Sequence, residues 1–416
     1  FYTLRTRQRQ YPPTDTENIW LRHSFLLPLL SMKKRRGTAS GRCPITKQDR
    51  LMNILLVGEA SNLHWTLAEG LRALGHSVTV VSDGSSWMNN RRNIDIARKS
   101  NGLFDSVSYL ARILRYLPRF KGYDVVQVKG PIFFNLRPEK NLAIFNYLRK
   151  HNRKIFLDAS GLDYYYSKAC FDGKSYRYSD YFIGDKPLNT PDWEERRKAY
   201  FGPIKRPNIE MAQQANGIIA CLYEYFVAYE PEYKDKLAYI PIPIQLDQHP
   251  MREIPDTLEK VRFFIGIQQK RSAIKGTDVM YDVLQQVQAK YPDECEIKKV
   301  VSVPYAEYNK MLYDSDILID QLYSYTPATN ALGAMAKGLV AVSGAEPEFY
   351  DFIGEHDLQP VVNILPDRDA VFSTFENLIL QKERLAELSR QSRAFVEKHH
   401  DHIQVAKQYV DFWNSK

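Results

Sequence analysis

Twice along this chain a short, unbroken apolar run is followed by a helical repeat and then by another apolar run, and few folds accept that pattern. Asn53-Ile54-Leu55-Leu56-Val57-Gly58 is apolar at every central position, as a strand covered on both faces of a parallel sheet must be. Leu67, Leu71 and Leu74 then recur at helical spacing over Thr66–Leu74, Gly75 stops the helix, and Ser77–Ser82 is the next strand. The alternation continues through a strand over Asp124–Val128, a helix near Glu139–Lys150, and strands at Lys154–Leu157 and Gly217–Ala220. It pauses in the proline-rich stretch Pro241–Pro255 and then restarts. Strands follow at Val261–Ile267, Ile297–Val301, Asp316–Asp320, Leu339–Val342 and Pro360–Leu365, separated by helices over Thr277–Lys290, Tyr305–Asp314 and Ala328–Lys337. From Asp367 onward the pattern is helical. The expected fold is α/β, with two Rossmann-like doubly wound domains facing a cleft.

The expected boundaries follow from these shifts. Residues 1–51 are a basic leader without period, read as a disordered extension ahead of Met52, and residues 52–243 are the first domain. A tyrosine-rich insertion at 163–201 interrupts that domain; it is too long for an ordinary connection and reads as a lid, a partly ordered insertion, or rings filling a loop-rich surface. Residues 244–260 are a linker, 261–385 the second domain, and 386–416 closing helices that cross back to the first.

Charge narrows the function. The 416 residues carry 57 Lys and Arg against 49 Asp and Glu, a net +8. The leader holds eleven of those cations and three of the acids, so the remaining chain has 46 of each sign and is neutral. A phosphate-backbone groove would put the surplus in the folded domains, so nucleic acid is not an expected partner. The leader itself could rest on an anionic membrane surface. No apolar run approaches the ~20 residues that span a bilayer. Cys43, Cys170, Cys221 and Cys295 are scattered without a Cys-x-x-Cys pair, which disfavours a zinc site or a disulfide scaffold and suits a cytoplasmic setting.

Ligands of α/β sheets sit at the carboxyl ends of strands. In the second half one such end reads Gly266-Ile267-Gln268-Gln269-Lys270-Arg271-Ser272-Ala273-Ile274-Lys275-Gly276, a turn with three cations ahead of a helix. That is a natural seat for a diphosphate. A second reads Gln321 to Asn330, with Thr326 and Asn330, before the small-residue helix Ala331-Leu332-Gly333-Ala334-Met335-Ala336-Lys337-Gly338. In the first half the turn Gly58-Glu59-Ala60-Ser61-Asn62-Leu63-His64 and the strand-end group Asp158, Ser160 and Asp163 face the expected cleft. No Asp-x-Asp clamp ends a strand; Asp314-Ser315-Asp316 straddles a strand start and reads as a cap. No Gly-x-Gly-x-x-Gly follows the first strand, which counts against a dinucleotide oxidoreductase.

On Leu67-Ala68-Glu69-Gly70-Leu71…Gly75-His76-Ser77-Val78, Gly266…Lys275-Gly276 and Ala334-Met335-Ala336-Lys337-Gly338, the chain resembles the GT-B glycosyltransferases of the retaining group-1 (family 4) kind. The resemblance is in particular to the divergent members from bacterial surface-polysaccharide clusters, such as those for capsule and lipopolysaccharide, and covers nearly all of residues 52–416. The resemblance implies a hexosyltransferase whose second half binds a UDP- or GDP-linked sugar and whose first half binds a glycan or lipid-linked acceptor. It implies retention of configuration, no metal and no cofactor beyond the donor, and a cytoplasmic site, peripheral at the inner face of the cell membrane. It assigns Gly266, Lys270, Arg271, Lys275, Thr326, Asn330, Glu346 and Glu348 to the donor, Gly58, Glu59 and Asn62 to the acceptor side, and His64 and Asp163 to catalysis. The chain departs from the family at two glutamates, whose positions hold Tyr325 and Gly333, and at a histidine after the third strand, where Gln127-Val128-Lys129-Gly130 stands. Glu346 and Glu348 are the stand-ins. A sugar-nucleotide-binding protein without transferase activity is the alternative these departures leave open.

Overall fold

Strand β1 (Asn53–Val57) sends Ile54 and Leu56 into one apolar layer and Leu55 and Val57 into another. That is why its sequence is apolar without alternation: both faces are covered. The computed structural model describes residues 51–84, 88–98, 100, 102–188 and 190–416, all within the unit Arg50–Lys416; the expected leader 1–51 lies outside them save for Leu51. After β1 come β2 (Ser77–Ser82), β3 (Ile94–Asp95), β4 (Val125–Lys129) and β5 (Lys154–Ala159). The hairpin β6 (Phe182–Ile183) and β7 (Lys186–Pro187) precedes β8 (Gly217–Ala220) and β9 (Leu237–Tyr239). Seven of these make one parallel sheet in the order β3-β2-β1-β4-β5-β8-β9. The strand order reverses between β1 and β4, the crevice where doubly wound sheets take ligands.

A second parallel sheet holds β10 (Val261–Ile267), β11 (Cys295–Val301), β12 (Ile317–Ile319), β13 (Val340–Ser343) and β14 (Val362–Asn363), in the order β11-β10-β12-β13-β14. Its reversal lies between β10 and β12, where the cationic turn begins. Phe263 and Ile265 face the layer of Val283, Leu284 and Phe375, while Phe264 packs with Tyr308 and Leu312 on the other face. An apolar seam joins the two halves: Leu63, Cys221, Ile242 and Ile244 pack on Leu332, Met335, Phe349 and Phe395. Among the described residues no helix is long and apolar enough to cross a membrane.

Of the C-terminal helices, Leu385–His399 packs its Phe395 and Val396 into that seam, while His402–Ser415 lies on the first sheet. Val405, Tyr409 and Trp413 of the latter are fully buried against the layer of Ile54, Leu56 and Leu67. The close approach depends on Gly70 in the helix Leu63–Ala73, since a Cβ there would sit 2.2 Å from the His402 carbonyl oxygen. Gly70→Ala is therefore expected to lower stability by about 1–3 kcal/mol despite alanine's better helix propensity. Urea unfolding checks this; a variant as stable as the parent would show that the two helices can part without cost.

Two stretches differ from the sequence reading. The 163–201 insertion is a packed module, made of helices Tyr164–Phe171 and Trp193–Phe201 with the β6–β7 hairpin between them. Tyr165 and Tyr181 are at most 1% exposed, so the rings are core. Asp316 is no cap: fully buried, it takes Arg252 at 2.6 Å and Arg262 at 2.7 Å on one oxygen, and the Arg262 Nε and backbone N–H on the other.

Candidate functional site

At the β10/β12 reversal, the helix Ser272–Lys275 ends on Gly276, which adopts φ +69. A side chain there would also strike Leu322, 2.6 Å away, so glycine fixes the turn that delivers Lys275. The Lys275 ammonium meets Asp320, at the end of β12, at 3.3 Å. The same Asp320 oxygen accepts from Asn330 Nδ2 at 2.9 Å, and Asn330 Oδ1 accepts from the Tyr308 hydroxyl at 2.9 Å. Asp320 is buried and its Oδ2 has no protein partner. A buried carboxylate oxygen with open lone pairs is costly unless something donates to it.

The first half reaches into this edge. Glu224, at the start of the helix Tyr223–Tyr233, is buried; its carboxylate accepts from the Tyr325 and Thr326 amides at 2.6 and 3.1 Å and from Thr326 Oγ1 at 2.6 Å. Burial raises its pKa, opposed by the Thr326 hydroxyl and these amides. From the insertion, the Tyr176–Tyr178 strap lies on Tyr325: its ring is stacked on Tyr178 at 4.8 Å, and its hydroxyl accepts from the Arg177 amide at 2.6 Å. The Arg177 guanidinium pairs with both Glu346 and Glu348, and the Tyr178 hydroxyl donates to Glu346.

In the first half, His64, Gln127, Asp158, Ser160 and Glu59 cluster at the carboxyl ends of β1, β4 and β5, all of them buried. His64 Nδ1 lies 2.8 Å from the Gly58 carbonyl. A carbonyl only accepts, so Nδ1 carries the proton and Nε2 presents its lone pair toward the Gln127 amide at 3.4 Å. Burial pushes His64 down to about 4, so the ring is neutral. Burial pushes Asp158 up to about 7 against the Ser160 hydroxyl that donates to it at 2.8 Å. Glu59, also pushed up to about 7 by burial, accepts from the amides of Ala60, His64 and Trp65 and so occupies the N-terminus of the helix Leu63–Ala73.

Between the halves lies a pocket of about 80 Å³ lined by Leu162, Tyr166, Asp180 and Glu224 on one side and Arg271, Lys275, Gln321 and Ser324 on the other. Ligand pockets usually enclose about 300 Å³ or more, so a nucleotide needs this cleft wider. A larger hollow of about 350 Å³ runs along β14 and the helix Arg368–Leu380. Its lining includes none of Asp158, Arg271, Lys275 or Asp320. Among the described residues, no group of three or more His, Cys, Asp or Glu could hold a metal ion.

The structure thus gathers Arg271, Lys275 and, through Asp320, Asn330. It leaves Lys270 exposed and outside the pocket lining, and it packs Gly266 beneath the Tyr308 ring. Thr326 is spent on Glu224, and Glu346 and Glu348 on the strap. Asn62 turns its side chain onto Thr66. Asp163 needs correcting: it caps the helix Tyr164–Phe171 through the Tyr166 amide and accepts from the Tyr229 hydroxyl on its other oxygen at 2.5 Å. Burial moves it up to about 6. With both oxygens engaged and the side chain sealed, it has no face for an acceptor. Sequence reasoning missed Asp320, Glu224 and Arg177; the strand-end rule that singled out Asp158 reaches Asp320 equally well.

This pairing of two Rossmann-like halves across a cleft is the GT-B fold of glycosyltransferases. Solved structures with this fold include HepE (Alr3699) from Anabaena in complex with UDP and glucose, 10% identical, with a TM-score of 0.55 over 88% of this chain and 100% of that one. WaaG, a glycosyltransferase involved in lipopolysaccharide biosynthesis, is 13% identical, with a TM-score of 0.53 over 87% of this chain and 100% of that one. Sucrose-phosphate synthase from Thermosynechococcus elongatus is 12% identical, with a TM-score of 0.58 over 88% and 99%. At such identities the likeness is one of fold. No family model matches the chain, and no curated protein matches it by sequence.

Proposed function

We propose that the chain is a retaining, metal-independent hexosyltransferase of the group-1 (family 4) kind, moving a sugar from a UDP- or GDP-linked donor to a glycan or lipid-linked acceptor on the cytoplasmic side of a membrane. The observation that carries this reading is the placement of Arg271 and Lys275 on a cleft pocket at the β10/β12 reversal. In this reading the bond from the anomeric carbon to the diphosphate oxygen breaks, and the cations of Lys275 and Arg271 take up the charge that develops on the leaving phosphate. The acceptor oxygen bonds to the anomeric carbon from the same face, and its proton passes to the departing phosphate. The open Asp320 oxygen accepts a donor hydroxyl, work the family gives to the glutamates replaced by Tyr325 and Gly333. The Tyr176–Tyr178 strap withdraws to admit the donor. His64 and Asp163 shape the acceptor side without touching substrate, since both are sealed.

A thermal-shift panel of nucleotide sugars, followed by product analysis with the best donor, tests the reading. UDP- or GDP-sugars are expected to raise the melting temperature and NAD to leave it unchanged. The opposite pattern would end the proposal. The engagement of Glu346 and Glu348 by Arg177 and Tyr178 favours a second reading, donor binding without transfer; donor stabilisation with neither hydrolysis nor product would select it.

A further inference from the structure

The strap Tyr176-Arg177-Tyr178 reaches from the tyrosine module of the first half onto the second half, and its two sides are held differently. On its own side the fixings are local. Asp172 accepts from the Lys174 and Ser175 amides at 2.8 Å, the Gly184 amide donates to the Arg177 carbonyl at 2.8 Å, and Tyr178 bridges to Ile183. On the far side the fixing is mostly charge. The Arg177 guanidinium pairs with Glu346 and Glu348 and lies 5.3 Å over the Tyr325 ring. Glu346 is only 3% exposed, but the Arg177 side chain is 55% exposed and Glu348 38%. Ion pairs that stand half in water exchange for hydration at little cost. The apolar seam of Leu63, Ile242, Met335 and Phe395 already joins the two halves, and a buried seam does not exchange in this way. The strap is therefore a contact across the cleft that can open while the seam stays shut.

What the strap covers decides its effect. Tyr325 follows Ser324, which lines the cleft pocket together with Arg271 and Lys275. Tyr178 Oη lies 3.5 Å from the Ser324 carbonyl, and the Tyr176 hydroxyl donates to the carbonyl of Glu224, on the opposite wall of the same pocket, at 2.5 Å. With the strap down, that pocket encloses about 80 Å³, too little for a nucleotide. A strap that must leave before a ligand enters competes with it, and the apparent affinity falls by the fraction of molecules already open. Glu346 does not need Arg177 to stay satisfied, because Tyr178 and Asn363 Nδ2, the latter at 3.0 Å, also donate to it. Loss of the guanidinium therefore loosens the strap without stranding a buried carboxylate.

We propose that Arg177 is an autoinhibitory latch: paired with Glu346 and Glu348 it holds the cleft closed, so that the strap and a nucleoside diphosphate exclude one another. The inference rests on the donor site of the proposed function and adds its regulation. The test titrates UDP and GDP calorimetrically into the full chain as wild type, Arg177→Gln and Arg177→Lys, each shown to be folded by a cooperative melting transition. Arg177→Gln is expected to bind nucleotide about five- to twentyfold more tightly, since opening no longer breaks the pair. Arg177→Lys keeps the charge but loses the fork that spans two carboxylates, and is expected to fall between. Hydrogen exchange over residues 174–181 reads the strap itself. The Arg177 amide, held by Tyr325 Oη at 2.6 Å, is expected to exchange slowly in the free protein and faster with saturating nucleotide. Equal binding by Arg177→Gln would overturn the latch, and so would weaker binding, which would make Arg177 a donor contact instead. Nucleotide binding by the wild type with the strap still protected would overturn it too. Binding by none of the three proteins would end the proposed function and the latch together, which tells the two failures apart.

Discussion

Replacing Lys275 with alanine is expected to weaken nucleotide binding by roughly ten- to a hundredfold, the equivalent of a charge-assisted contact worth about 1.5–3 kcal/mol. Lys275 is held by Asp320 at 3.3 Å and lines the cleft pocket, so it is already aimed where a diphosphate would lie. Its loss removes a donor to the phosphate and also leaves the buried Asp320 with Asn330 as its remaining partner. Some loss of stability is therefore expected too. Calorimetric titration with UDP and GDP well below the melting temperature separates the two effects. Unaltered affinity in a folded Lys275→Ala protein would remove this lysine from the site.

The second large effect is structural. Asp316→Ala is expected to cost about 1–3 kcal/mol, because Arg252 and Arg262 lose the carboxylate that accepts from both, while Arg262 keeps only the weaker fields of Asp314 and Glu296. Arg252 belongs to the segment between the two halves, while Arg262 and Asp316 flank the start of the second sheet. The variant should therefore unfold at lower urea concentration and loosen the joint between the halves as well. Chemical denaturation, with limited proteolysis around Arg252, measures both; a variant as stable and as resistant as the parent would show that the triad contributes nothing net.

What could be read in advance divides by the range of the interactions. The strands Ser77–Ser82, Gly217–Ala220 and Val261–Ile267 and the helix Thr277–Lys290 match the sequence reading to the residue. Each is a short apolar or single-stripe segment bounded by glycine or polar residues, a local signal. The helix Leu103–Tyr116 went unread although Leu103, Val107, Leu110 and Leu114 recur on one side, because that side is largely exposed, at Val107 and Leu114, and builds no continuous apolar run. The tyrosine module escaped for another reason: its core rings carry hydroxyls that satisfy one another and their neighbours, as between Tyr165 and Tyr233 or Tyr166 and Asp180, so the composition looks polar. At the cleft pocket, Arg271 and Lys275 share one turn with Gly276, a local pattern. Glu224 meets Thr326 across 102 positions, and Arg177 meets Glu348 across 171, separations at which no spacing rule operates.

A structure of the full chain soaked with UDP or GDP tests most directly whether the second sheet's carboxyl edge grips a nucleoside diphosphate. The account predicts phosphate oxygens within ion-pair reach of Lys275 and Arg271, a hydroxyl on Asp320 Oδ2, and the Tyr176–Tyr178 strap drawn back from Tyr325. A nucleotide seated instead beside Gly58 on the first sheet, with Lys275 still on Asp320, would contradict it.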